Sequence, residues 1–129
     1  MKKTIRIIAV AMLAVMLCLT LASCGGPNKD PKKAEAALKE AGYTVNLREL
    51  DEADDDGMVA VISASKNLTD GISIYYYKDS ASAKAAFADV EKEFEEAKEL
   101  LGDLADDYVC KRSGKIIYTG TKDAVKAAK

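Results

Sequence analysis

The run Ile72-Ser73-Ile74-Tyr75-Tyr76-Tyr77-Lys78-Asp79-Ser80 decides how this chain is built. Its first six residues mix β-branched and aromatic side chains, the composition of a strand. Asp79 or Ser80 then suits the start of a helix. Phe87, Val90, Phe94, Ala97, Leu101 and Leu104 follow at alternating spacings of three and four. That spacing makes one apolar seam, with Lys84, Asp89, Lys92, Glu95, Glu96 and Glu99 largely off it. A seam of under three heptads with alanine at one position is short for a coiled coil, so the helix is expected to pack on the domain's own sheet.

Upstream, Asp30-Pro31 opens a helix with a small stripe of Ala34, Ala37, Leu38 and Ala41, and Gly42 ends it. Tyr43, Val45 and Leu47 alternate with polar residues as a strand does. Asp54-Asp55-Asp56-Gly57 supplies a turn, Met58 to Ser65 a second strand, and Asn67 to Gly71 a second turn. Downstream, Tyr108–Arg112 and Lys115–Thr119 form a hairpin around Ser113-Gly114. Thr121 caps a short last helix. The order α-β-β-β-α-β-β-α, joined by short links, predicts an α+β domain: an antiparallel sheet of about five strands with helices packed on one face. If Ile72, Ile74 and Tyr76 face those helices, Ser73, Tyr75 and Tyr77 line the other side. Tyr75 and Tyr77 are therefore candidate binding residues, because tyrosines on an open sheet face make a recognition platform. The competing reading is ordinary cross-strand packing over the second face, which the doubly apolar strand Met58–Ser65 favours.

The start of the chain says where the protein works. Lys2, Lys3 and Arg6 form a positive region, and Ile7 to Leu21 are 15 apolar or nearly apolar residues. As a helix that run reaches about 22 Å, short of the roughly 30 Å core of a bilayer. Leu21-Ala22-Ser23-Cys24 closes it, and this ending resembles the lipobox of bacterial lipoproteins. The resemblance implies a diacylglycerol thioether on Cys24, cleavage before it, and acylation (with palmitate, for example) of the new amino group. It also implies an extracytoplasmic protein held at the cell membrane or outer envelope. Gly25 after the cysteine, where Asp would be the alternative, points by the same resemblance to an outer membrane in a cell that has one. Two or three acyl chains anchor stably where one does not. The expected organisation is a signal peptide over 1–23, a flexible tether over 24–30 and one domain over 31–129. An ordinary secretory signal with a chance cysteine is the alternative.

Cleavage removes 23 of 129 residues and leaves 106, enough for one small domain. It also removes three of 19 cations, so the mature chain sets 16 against 21 acids, a net charge of −5. That balance argues against nucleic acid, which requires a basic stripe. It gives no attraction to an anionic membrane, so attachment rests on lipid. Cys18 leaves with the signal and Cys24 takes the lipid; Cys110 then stands alone, and in a strand-like run it reads as a buried, inert thiol.

The chain has no histidine and no tryptophan. Serine and cysteine hydrolase constellations that rely on histidine are therefore excluded. The acids cluster in turns and on the solvent side of a helix, so no catalytic site is expected. Glu52, Asp54, Asp56 and Gly57 match the first half of a calcium loop, but its twelfth position falls on Ser63 inside a strand, and a solvated turn is the better reading. Asn67-Leu68-Thr69 fits an N-glycosylation pattern and reads as a turn. No metal or cofactor is expected. The function expected is a non-enzymatic binding or envelope-interaction module whose partner is an envelope protein or a small ligand. A small acidic inhibitor of an envelope or secreted enzyme is the first alternative, and a carboxylate-based hydrolase the second.

Overall fold

Three helices and five strands follow in the expected order in the computed structural model, which describes residues 26–129. They are α1 (Pro31–Glu40), β1 (Thr44–Glu49), β2 (Met58–Asn67), β3 (Asp70–Tyr77), α2 (Ser80–Leu101), β4 (Tyr108–Ser113), β5 (Ile116–Thr121) and α3 (Lys122–Ala127). A 3-10 segment, Gly102–Asp107, joins α2 to β4. Each helix starts on a side-chain cap, as orphan amide groups at a helix start require. Asp30 Oδ1 accepts from the Lys32 amide at 3.0 Å, with Pro31 in the first turn. Asp79 Oδ1 accepts from the Ser82 amide at 2.7 Å, and that bond holds the Asp79 carboxyl below its ordinary range. Thr121 Oγ1 accepts from the Ala124 amide at 3.3 Å.

The strands form one antiparallel sheet in the order β1-β2-β3-β5-β4, with β3 at its centre. Alternation along β3 is as the sequence predicts. Ile72, Ile74 and Tyr76 face one side, where they join Ile62, Ile116 and Tyr118 beneath Ala34 and Leu38 of α1 and Ala124 of α3. Tyr75 and Tyr77 face the other side, with Ile117 and Met58.

One expectation is overturned here: the helices lie on both faces of the sheet. α2 covers the Tyr75–Tyr77 side through Ala83, Phe87 and Val90, while α1 and α3 share the opposite side. Residues of both parities explain this. Ile116 and Tyr118 are buried on one face and Ile117, fully buried, on the other, so the sheet has two apolar surfaces to remove from water. A register shift between Met58 and Ala60 in β2 adds to it by turning Met58 to the α2 side and Val59 to the other.

The segment expected to be a flexible tether is docked over its described part, 26–30. The Gly26 backbone lies so close to the Tyr118 ring that a Cβ there would overlap it, and Pro27 is buried. The Asn28 amide donates to the Ala128 carbonyl at 2.9 Å, its side chain to the Lys129 carbonyl at 3.1 Å, and the Tyr76 hydroxyl donates to the Asn28 carbonyl at 2.9 Å. At the other end of the same layer, Asp70 Oδ1 accepts from the Tyr43 hydroxyl at 2.9 Å and from Thr121 Oγ1 at 2.6 Å. This carboxylate ties the exit of α1, the β2–β3 turn and the cap of α3 together.

Two measurements check this packing. Ile74 is fully buried, so Ile74→Ala should lower the unfolding free energy by about 2–5 kcal/mol. Phe94, half-buried on α2, should lose only about 1–2 kcal/mol on truncation, since less of its ring leaves water on folding. Equal losses in urea unfolding would contradict the unequal cover of the two faces. The second concerns alkali. Burial first, then the bond to Asp70, push the Tyr43 hydroxyl from 10.0 up to about 12. The fold thus favours the neutral phenol: its contribution is complete below about pH 10 and is lost as pH rises through about 12. Tyr76, Tyr77 and Tyr118 shift in the same direction, also by burial. Urea midpoints should therefore fall between pH 9 and 12, and Tyr43→Phe should flatten part of that fall. An unchanged slope would exclude Tyr43 as a contributor.

Candidate binding groove

Polar and apolar residues alternate along β3, but only half of the α2 side is filled by large side chains. The antiparallel register sets Asn46 opposite Ser63, Ser63 opposite Ser73, Ser73 opposite Thr119, and Thr119 opposite Cys110. One row across all five strands is thus made of small, uncharged, mostly polar side chains. The neighbouring row, Val61, Tyr75 and Ile117, is bulky. α2 runs unbroken over 22 residues, so where the side chains beneath it shrink, a gap opens.

That gap is a groove of about 570 Å³ between the C-terminal half of α2 and the sheet. Its floor carries Asn46, Ser63, Ser65, Ser73 and Thr119, and its wall carries Phe94, Ala97, Leu101 and Tyr108. None of its 15 lining residues is charged, in a chain whose residues are 31% charged. The volume falls within the roughly 300–1,000 Å³ of ligand sites, and a largely apolar wall with a few placed polar groups is the usual lining of one. The apolar seam of α2 follows the same change. Ala83 is buried, Phe87, Val90 and Phe94 are half-buried, and Leu101 and Leu104 stand 40% and 59% exposed.

The sequence-predicted candidates fall in different places. Tyr75 and Tyr77 sit side by side with the expected parity, but α2 lies over them: Tyr77 is buried and Tyr75 half-buried. The open platform proposed for them is replaced by a helix-covered contact, because the aromatic side chains themselves provide the surface on which α2 packs. Both still border a hollow beside Val90 and Phe94, which shares Phe94, Ala97 and Thr119 with the groove. Cys24 lies outside the described residues. Asp54 turns inward on its own loop, its Oδ1 accepting from the Asp56 and Met58 amides at 2.9 Å each, which is a turn's use of a carboxylate. Gly57 closes that turn at φ +88, and a Cβ there would press on Ser82. Among the described residues, no group of three or more candidate metal ligands converges. No helix among them is long and apolar enough to cross a membrane.

Sequence reasoning missed Asn46, Ser63, Ser73 and Thr119 as a set. Each reads as an ordinary polar strand position, and only the register brings the four into line. Family models, curated proteins and solved structures were each compared with this chain, and none matches it.

Cys110 ends the row at the sheet edge. Burial, then the nearby Glu91 and Glu95, push its thiol from 9.0 up to about 11. At pH 8 the thiolate fraction should be about a hundredfold below that of an ordinary thiol, and alkylation by iodoacetamide correspondingly slow. Unfolding in urea should restore the normal rate. Rapid alkylation of the native chain would show an exposed, ionised thiol instead.

Proposed function

We propose that the chain is a lipid-anchored, extracytoplasmic module that acts by binding, and that it takes an envelope partner into the groove beside α2. The observation that supports this reading is the lining itself: 15 residues without a charge, hydroxyl and amide groups along the floor, and aromatic and leucine side chains along the wall. A surface left half-apolar and uncharged beside a strongly charged helix is suited to a complementary surface. The same lining offers no carboxylate to act as acid or base, which favours binding over hydrolysis at this place. The anchor is assigned to Cys24 on the Leu21-Ala22-Ser23-Cys24 ending.

The test uses the whole chain expressed with its own signal. Mass spectrometry should find an acylated Cys24 at the mature N-terminus, and Cys24→Ala should leave the membrane fraction. Cross-linking in intact envelopes should then yield one stoichiometric partner. Ser63 is exposed on the groove floor, so Ser63→Trp fills the groove without entering the core. It should cut that yield by about tenfold or more with the circular dichroism spectrum unchanged. An unmodified Cys24 overturns the anchor, and equal yield from Ser63→Trp overturns the groove.

A further inference from the structure

All the large apolar side chains that the described residues leave exposed lie at one end of the molecule. They are Leu68, Leu100, Leu101 and Leu104, at 102%, 90%, 40% and 59% exposure. Leu68 sits in the turn between β2 and β3, and the other three sit at the end of α2 and in the 3-10 segment. The Tyr108 hydroxyl, donating to the Thr69 carbonyl at 3.1 Å, holds these two pieces of chain together. Leu101 also lines the groove, so the tip adjoins its apolar wall. From Glu99 to Asp107 the chain carries Glu99, Asp103, Asp106 and Asp107, all exposed, and no cation. The α2 side of the apolar tip is therefore bordered by four acids; the cations nearest in sequence, Lys66 and Lys98, are engaged by the Tyr43 ring and by Glu95.

We propose that this tip docks a segment of a partner protein whose apolar side chains are flanked by lysine or arginine. The inference rests on the binding-module reading above and names the chemistry of the partner. Charge complementarity selects the flanking cations, and the leucines with the groove mouth select the apolar anchors. A second copy of the chain would bring two acidic rims together, which is unfavourable.

The chain's own entry point turns the tip away from the bilayer. Gly26 and Asn28 dock on the Tyr76–Tyr118 face, the one opposite α2. Cys24 is two residues before Gly26 in the chain, a short covalent reach. A lipid on Cys24 thus places the membrane on the α1–α3 side, with the sheet between it and α2. The acidic rim further disfavours an anionic lipid surface.

The probe is a fluorescent amphipathic peptide of leucine and lysine, titrated against the full lipidated chain in vesicles of zwitterionic lipid. A leucine–glutamate peptide serves as control. The leucine–lysine peptide should bind, more weakly as salt rises, and the control should not. Leu100 and Leu104 are exposed, so the double variant Leu100→Ser/Leu104→Ser should keep its circular dichroism spectrum and lose about tenfold or more in affinity. Equal binding of both peptides, or an unaffected double variant, overturns the proposal. So does self-association, or adsorption to anionic vesicles, that the double variant abolishes. If no peptide binds while an envelope partner is still lost on Ser63→Trp, the tip proposal falls and the module reading stands; if that partner is absent too, both fall.

Discussion

Everything in this molecule depends on a sheet that is apolar on both faces. In β5, Ile116, Ile117 and Tyr118 are buried in succession, and because side chains alternate across a strand, consecutive burial requires cover on two sides. One face receives two short helices, α1 and α3, and the other a single long one. The short helices bury alanine at the contact (Ala34 and Ala124, with Ala128 just past α3, all fully buried), which lets α1 approach β1 and β2, and α3 approach β3 and β5, closely. The long helix contributes fewer buried residues and lies across a surface that changes from bulky to small along its length. The groove is the consequence of that mismatch. It needs no special loop, only an unbroken helix over a row of serine, threonine and asparagine.

The α1–α3 layer is closed from both ends by polar contacts. Asp70 gathers Tyr43 and Thr121 at one end, and Asn28 joins Tyr76 to the chain terminus at the other. Each is a bond between segments far apart in sequence, so each fixes tertiary geometry and not only local turns. The partly buried Asp70 carboxylate accepts two hydroxyl protons, which compensates its removal from water. Gly26 shows the tightness of the second closure: any side chain there would occupy the space of the Tyr118 ring.

Much of the fold was legible because the local signals agree. Asp30-Pro31, Asp79 and Thr121 mark the helix starts where the caps are found, and the strand count and order follow from alternation and turn residues. The parity of Ile72, Ile74 and Tyr76 was legible too. What parity alone does not say is which face a helix will cover, so the tyrosines fit an open face and a covered one equally well. The contrary signal was present in Ile116-Ile117-Tyr118, whose continuous apolar run marks a strand buried on both sides. The groove was not legible, since its floor combines residues from β1, β2, β3 and β5 that have no shared spacing in sequence. Docking of 26–30 was hidden for a related reason: glycine, proline and asparagine describe a free tether as well as a close contact.

On the proposal that Cys24 carries a lipid, the arrangement of faces gives that anchor a consequence beyond attachment. A lipidated cysteine followed by a long flexible segment would let a domain present any side to its surroundings. Here the described chain is already fixed to the sheet at Gly26, two residues after Cys24, and the contact lies on the face that α2 does not cover. With so little slack, an anchored chain has a strongly restricted set of orientations. The charged outer side of α2, the uncharged groove beneath it and the leucines at its end then share one hemisphere, which on the proposal above is directed away from a lipid on Cys24. Restricting orientation removes part of the entropy a partner would otherwise lose on docking. With the anchor proposed on Cys24, the few residues between it and α1 thus decide which surface the protein offers.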